Sequence, residues 1–107
     1  MEKIDLDGLR QAASDACGLL RVLANPDRLL LLCQMTQGEY CVGDLEILTG
    51  IKQPTLSQQL TVLREEEMVS TRREGKQIFY SIMSKEAMSV LQVLYEMYCG
   101  PVKGAEK

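Results

Sequence analysis

Two short helical patterns separated by a glycine lie between residues 42 and 63, and this arrangement restricts the fold more than any other feature of the sequence. The first pattern stops at Gly50, where a left-handed residue can end a helix. The second opens at Gln53-Pro54, since proline suits the first turn of a helix. The leucines predicted to point inward are Leu45, Leu48, Leu56, Leu60 and Leu63. Helix, turn and helix in this order indicate a helix-turn-helix unit.

Two further helices are predicted ahead of this unit. An apolar seam with alternating spacings of three and four predicts a helix over residues 5–24, and such a seam is typical of a surface that packs on another helix, often of a partner chain. The seam residues are Leu6, Leu9, Ala13, Ala16, Leu20 and Leu23. Asn25-Pro26-Asp27 supplies an N-cap, a first-turn proline and a first-turn acid for the next helix. Its apolar run, Leu29 to Leu32, predicts a largely buried helix that ends near Gly38.

The last third of the chain predicts a hairpin followed by a helix. Residues 69–73 and 77–82 are strand-like, and Glu74-Gly75-Lys76 joins them as a turn, which makes the pair a wing. Ser84 caps a final helix that ends before Gly100-Pro101, and the tail beyond should be loose. The residues expected to face inward on that helix are Ala87, Leu91, Leu94, Tyr95 and Tyr98.

The predicted fold is therefore mainly α with a two-stranded β-wing, a winged helix-turn-helix in the order α-α-α-α-β-β-α. A chain of 107 residues is the length of a single domain, 1–107, with a modest core unless a second copy covers part of it. Its predicted parts are a dimerisation helix at 5–24, the helix-turn-helix at 42–67, the wing at 69–82 and a second dimerisation helix at 84–99.

The charge distribution indicates which half would meet a polyanion. The formal net charge is −3, and residues 1–50 hold eight acidic against four basic side chains. Residues 51–64 hold two basic side chains and no acid, and residues 69–83 hold three basic side chains against one acid. Because local charge matters more than the total, the second half is the candidate nucleic-acid surface.

The polar side of the second helix-turn-helix helix is predicted to enter the major groove of DNA. The candidate readout residues are Gln53, Thr55, Ser57, Gln58, Gln59 and Thr61, and the candidate phosphate contacts are Lys52, Arg72, Arg73 and Lys76. Either set alone would suit an ordinary solvated surface. Their order along the chain, with the acids Glu65 to Glu67 kept to the far end of the helix, favours DNA binding.

Several classes of function are disfavoured. No apolar run approaches the roughly 18 residues of a membrane span, and the acidic N-terminus does not resemble a secretory signal, so we expect a cytoplasmic protein. There is no histidine, no Cys-x-x-Cys pair and no glycine-rich phosphate loop. We therefore predict no enzyme activity, no cofactor and no metal site. The four cysteines are expected to be reduced thiols.

Three motifs make the chain similar to the ArsR/SmtB family of bacterial winged-helix repressors. They are Leu23-Ala24-Asn25-Pro26-Asp27-Arg28-Leu29, the stretch from Gln53 to Leu60 that continues to Val62-Leu63-Arg64, and the wing from Gly75 to Ser81. The resemblance covers nearly the whole chain. It implies a homodimer built from the first and last helices, which binds an imperfect palindrome and leaves it when an inducer arrives.

The cysteines refine this resemblance. Many metal-sensing members carry ELCVCDL, whose second cysteine is replaced here by Gly43. Cys41 and Cys99 are similar to the dithiol of the BigR/SqrR subgroup, which responds to persulfides and other sulfane sulfur and controls sulfide-oxidation genes. The resemblance thus implies a redox-sensing pair.

A responsive thiol needs exposure and a nearby positive charge or helix N-terminus, so Cys41 is expected to attack first and Cys99 to resolve. Cys17 and Cys33 are expected to be buried core residues.

Three alternatives stay open. An arsenite- or antimonite-responsive repressor would suit soft thiolates, although it would ordinarily need a third cysteine. The chain could instead be an interaction dimer without DNA binding, or a small thiol redox protein.

Overall fold

The computed structural model describes residues 5–100 of the chain. Its elements are α1 (Leu6–Leu23), α2 (Pro26–Met35), β1 (Tyr40–Cys41), α3 (Val42–Thr49), α4 (Thr55–Glu65), β2 (Val69–Glu74), β3 (Gln77–Ile82) and α5 (Lys85–Tyr98). This is a mainly helical winged helix-turn-helix, as the sequence predicts. The predicted helix and wing boundaries agree with these bounds to within a few residues.

The helix ends form where the sequence signals them. The side chains of Asp5, Asn25 and Ser84 each accept a hydrogen bond from a backbone N–H three residues later, at 2.9 to 3.0 Å. Gly50 ends α3 with φ 77°, and Gly100 follows α5 with φ 65°, both in the left-handed region that favours glycine. Local capping chemistry therefore sets most of the element boundaries.

The sheet has a third strand that the sequence analysis missed. The strand order is β1-β3-β2, and both pairings are antiparallel. Cys41 on β1 and Arg72 on β2 both lie opposite Phe79 on β3, so all three side chains share one face of the sheet. The predicted two-stranded wing is thus anchored to the segment that precedes the helix-turn-helix. A two-residue strand is too short to give a recognisable alternation.

The core lies where α2, α3, α4 and α5 meet β3. Its fully buried members are Leu31, Leu32, Leu45, Leu56, Leu60, Leu63 and Leu91. The three predicted leucines of α4 are among them, so the inward face of that helix is confirmed. Burial of these side chains fixes which side of α4 remains exposed.

Four residues predicted to be inward are exposed, and the prediction was wrong for each of them. Leu48 is 52% exposed because it lies at the margin of the narrow face that Leu45 centres on α3. Leu30 is exposed on the outer side of α2, beside the fully buried Leu31. Tyr95 and Tyr98 are exposed on the last turns of α5, and Tyr98 is 80% exposed. The core of a single chain is smaller than the apolar pattern suggests.

Helix α1 leaves most of its length uncovered. Every residue from Asp5 to Cys17 is exposed, including the seam residues Leu6 and Leu9, whereas Val22 and Leu23 are buried at the other end. An isolated helical stretch of this length is marginal in water. None of the helices within residues 5–100 combines the length and apolar character that crossing a membrane requires. The predicted loose tail lies outside the described residues.

Candidate DNA-contacting surface and thiol groove

The exposed side of α4 presents a small set of polar side chains. Ser57, Gln58 and Thr61 are exposed opposite the buried leucines. The Thr61 hydroxyl donates to the Ser57 carbonyl at 2.9 Å, so it is engaged within the helix. Gln58 has no side-chain hydrogen bond within residues 5–100, so both its donor and its acceptor are available for a base edge.

The start of α4 is held by the side chain of Gln53, which precedes the helix. Oε1 of Gln53 accepts a hydrogen bond from the Ser57 backbone N–H at 3.0 Å, which satisfies one of the free amides of the first turn. Lys52 is exposed immediately before this turn, and Thr55 is half-buried. Gln53 thus caps the helix, and Lys52 carries positive charge at its N-terminal end.

Gln59 differs from its neighbours because it is half-buried and already bonded. Its Oε1 accepts a hydrogen bond from Nη1 of Arg28 at 3.0 Å. The sequence placed Gln59 among the readout residues, but the structure ties its oxygen to α2. Nothing in the spacing of residues 31 positions apart predicts this contact.

The wing carries three basic residues in two different environments. Arg73 and Lys76 are exposed, and Nε of Arg73 contacts only the nearby Gly75 carbonyl at 3.3 Å. Arg73 lies opposite Ile78, whereas Arg72 lies opposite Phe79 on the other face of the hairpin. Arg73 and Lys76 can therefore meet phosphate without losing an ion pair.

Arg72 is paired within the protein. Its Nη2 lies 3.0 Å from Oε1 of Glu39, its Nη1 lies 2.8 Å from Oε1 of Glu74, and its guanidinium centre lies 4.9 Å from the Phe79 ring centroid. Hydrogen bonds to Glu39 first and Glu74 second raise the pKa of Arg72. The sequence-predicted phosphate contact is thus neutralised in the free protein.

Cys41 is placed differently from the expected exposed thiol. It is the N-cap residue of α3, as predicted, but it is only 9% exposed. Its Sγ lies 3.8 Å from Nε2 of Gln77, on the sheet face shared with Phe79. The expectation of exposure was wrong: in the three-stranded sheet Cys41 lies opposite Phe79, and Gln77 contacts its Sγ.

Cys99 and Cys33 lie together in an open groove of about 980 Å³ between α2 and α5. Cys99 is exposed and Cys33 is half-buried. Burial raises the pKa of Cys33, and the charge of Cys99, which lines the same groove, raises it further. We call this the thiol groove; its other lining residues include Leu29, Leu91, Tyr95 and Tyr98.

The sequence analysis therefore missed Cys33 as a candidate. Its position four residues after Leu29 placed it on a helix face read as core. The expectation that Cys17 is buried was also wrong, because that residue lies on the uncovered part of α1. Across residues 5–100, no three histidine, cysteine or acidic side chains cluster in a way that could hold a metal ion.

Comparison with known proteins gives a consistent family. Residues 25–71 match the family described as "Bacterial regulatory protein, arsR family". The chain is 48% identical over 99 residues to the "Biofilm growth-associated repressor" of Agrobacterium fabrum. The alignment covers 92% of this chain and 85% of that protein.

Two solved structures share the fold. The transcriptional repressor BigR from Xylella fastidiosa superposes with a TM-score of 0.82 at 44% identity, covering 90% of this chain and 98% of that one. Reduced HlyU from Vibrio cholerae superposes with a TM-score of 0.83 at 34% identity, covering 88% of this chain and 99% of that one.

Proposed function

The chain belongs to the arsR family of bacterial regulatory proteins, and from this premise we propose that it is a homodimeric repressor that releases operator DNA when its thiols react with sulfane sulfur. One observation supports DNA binding most directly. Gln58 stands free on the exposed side of α4, which we call the recognition helix, and Lys52, Arg73 and Lys76 are exposed on neighbouring segments. Glutamine can bond an adenine edge in two places, and cations fix the register through phosphates. The matched relatives bear the names of regulators, which favours regulation over catalysis.

The exposed apolar residues support a homodimer. Leu6, Leu9 and Leu20 on α1 and Val93 and Met97 on α5 are all exposed in the single chain. Exposed apolar side chains in this number on two helices are costly in water and are typical of an interaction site. A second copy would cover it, and the two recognition helices would then address half-sites about 34 Å apart.

The thiol groove supports Cys99 and Cys33 as the responsive pair, in place of the pairing of Cys99 with Cys41. Cys99 is exposed and can meet a persulfide, whereas Cys41 on β1 is buried, with its Sγ beside Gln77. The raised pKa of Cys33 lowers its thiolate fraction near neutral pH. Cys99 is therefore proposed as the attacking thiol and Cys33 as the resolving thiol, which reverses the order expected for Cys99 from sequence.

The proposed chemistry consumes one persulfide, RSSH. The Cys99 thiolate attacks the outer sulfur, the sulfur–sulfur bond of RSSH breaks, RSH leaves, and Cys99 becomes a persulfide. The Cys33 thiolate then attacks the Cys99 sulfur, forms a disulfide and releases H₂S. The two thiols are oxidised and the persulfide is reduced. Addition of further sulfane sulfur would lengthen the bridge and relax the geometry that a plain disulfide demands.

A single experiment tests the pairing. The reduced protein, bound to the DNA upstream of its own gene, is treated with a persulfide donor and then digested with trypsin together with a glutamate-specific protease. Cleavage at Arg28 and Glu39 separates Cys33 from Cys17 and Cys41. We expect DNA release and a sulfur-bridged pair of peptides containing Cys33 and Cys99. A bridge from Cys41 to Cys99 would restore the pairing expected from sequence, and DNA binding that persists after bridging would refute the sulfur response.

The metalloid alternative is separated by the same assay. Three soft ligands would be needed, and the thiol groove offers two thiols among the described residues. Arsenite is therefore expected to leave the DNA complex intact. Release by arsenite without a sulfur bridge would favour the metalloid sensor.

A further inference from the structure

The guanidinium group of Arg28 bonds to three separate places. Its Nε donates to the Val22 carbonyl at 2.8 Å, and its Nη2 donates to the Arg21 carbonyl at 3.4 Å. Its Nη1 donates to Oε1 of Gln59 at 3.0 Å. Arg28 lies on α2, so one side chain joins the end of α1 to the middle of the recognition helix.

The first two bonds complete the C-terminal end of α1. The last four carbonyls of a helix accept no hydrogen bond from within the helix. At the end of α1, the backbone N–H of Ala24 donates to the first of these carbonyls, that of Leu20. Arg28 supplies donors to the next two carbonyls, at the end where the helix dipole favours a cation. The end of α1 is therefore fixed to α2 by a charged group.

The third bond fixes the orientation of Gln59. A guanidinium group only donates, so the carbonyl oxygen of the Gln59 amide must face Arg28 and its NH₂ group must point away. Gln59 lies between the exposed Gln58 and the buried Leu60 on α4. A planar, always charged fork suits this arrangement better than a lysine ammonium would.

We propose that Arg28 is a positioning residue that couples α1 to the recognition helix and thereby sets the spacing of the two recognition helices in the dimer. This inference rests on the proposed function, because it takes α1 as part of the dimer surface and α4 as the DNA-reading element. Arg28 acts through Gln59 and does not contact DNA. A fixed link of this kind makes affinity depend on the distance between half-sites.

The test measures DNA affinity as a function of half-site spacing. Operator duplexes carry the natural centre-to-centre distance, or that distance changed by two base pairs, and are titrated with Arg28→Met, Gln59→Met and the double variant. The matched control is Arg21→Met, which removes the same charge but keeps the carbonyl that Arg28 contacts. Wild-type protein and the control should prefer the natural spacing. Arg28→Met and Gln59→Met should each bind it about 10-fold more weakly and lose the preference, and the double variant should be no worse than Arg28→Met.

Three results would contradict the proposal: one concerns how the losses of DNA affinity combine in the double variant, one concerns the spacing preference of Gln59→Met, and one concerns how affinity depends on salt. If the two single losses multiply in the double variant, or if spacing preference survives in Gln59→Met, the coupling is refuted. A salt slope that falls by about one in Arg28→Met would make Arg28 a phosphate contact instead. Should Arg28→Met fail to fold, Gln59→Met alone carries the test.

If the wild-type protein binds none of the upstream DNA, the proposed function is wrong. The link from α1 through Arg28 to Gln59 on α4 is then tested separately. Hydrogen exchange of the α4 amides in the free protein then decides. Faster exchange in Arg28→Met and Gln59→Met than in Arg21→Met supports the link, and equal exchange in all three refutes it.

Discussion

Nη2 of Arg72 on the wing lies 3.0 Å from Oε1 of Glu39, the residue that precedes β1, and this pair ties the wing to the segment before the helix-turn-helix. Both side chains remain about half exposed, so solvent screens the pair and it contributes little to stability. Its larger consequence is electrostatic. Two carboxylates, Glu39 and Glu74, already pair with the guanidinium group that the sequence predicts to contact DNA phosphate.

Replacing Glu39 should therefore strengthen DNA binding. Glu39→Gln leaves Arg72 with one carboxylate partner, and we expect affinity at low salt to rise about 3- to 10-fold and the salt slope to steepen by up to about one. Titrations of the upstream DNA at several salt concentrations measure both quantities. Glu86→Gln on α5 removes the same charge away from the wing and should leave the slope unchanged. Weaker binding by Glu39→Gln would mean that the ion pair is needed to hold the wing in place.

A buried residue of the core and an exposed residue of α3 should respond differently to truncation. Leu31 is fully buried, so Leu31→Ala should lower the free energy of unfolding by about 2 to 5 kcal/mol. Ile47 is 82% exposed, and Ile47→Ala should change it by about 0.5 kcal/mol or less. Urea denaturation at one fixed protein concentration compares the two. Equal losses would contradict the described core.

The uncovered half of α1 should be essential for dimer formation. Leu9→Glu places a charge in the exposed apolar seam, and we expect at least a 100-fold weaker dimer and a matching loss of affinity for a two-half-site operator. Sedimentation velocity across a concentration series measures the dimer. Arg10→Glu changes charge on the same helix outside the seam and serves as the control. A Leu9→Glu protein that stays dimeric would remove α1 from the interface.

The cysteines should differ in reactivity in the order that their environments dictate. Because the pKa of Cys33 is raised, its alkylation by iodoacetamide at pH 7.5 should be slower than that of the exposed Cys99. The Cys33 rate should keep rising above the usual thiol range near pH 8.5. Cys99→Ser removes a neighbouring negative charge and should lower the pKa of Cys33, whereas Cys17→Ser should not. Mass spectrometry of the doubly digested protein follows each site, and faster alkylation of Cys33 than of Cys99 would reverse the proposed order of attack.

Much of the fold follows from local signals in the sequence. Asn25 and Ser84 indicate helix starts through N-capping, and Gly50 indicates a helix end through its left-handed conformation. These signals can be read from the sequence because each acts within one helical turn. The strand β1 does not follow, since two residues carry no pattern and gain their structure only by pairing with β3. Tyr98 was misassigned because the apolar face of α5 extends beyond the core of one chain.

The sequence predicts which surfaces form the candidate site, and the structure corrects which contacts some of its residues make. The exposed side of α4 and the basic wing follow from periodicity and charge, both of which can be read from one segment at a time. The engagement of Gln59 by Arg28 and of Arg72 by Glu39 joins residues more than 30 positions apart. Tertiary contacts of this length leave no periodic trace, and the presence of Cys33 and Cys99 in one groove was missed for the same reason.

DNA binding by the recognition helix and the wing is tested most directly with a double variant, Gln58→Ala with Arg73→Ala. The measurement is the affinity of this reduced protein for the DNA upstream of its own gene. Among the described residues, the proposed readout residue Gln58 has no side-chain hydrogen bond, and Arg73 is the wing arginine without a carboxylate partner. We expect the double variant to keep its dimer and its unfolding free energy, to bind at least 100-fold more weakly, and to show a salt slope reduced by about one. Affinity and salt slope equal to those of the wild type would contradict DNA reading by the recognition helix and the wing.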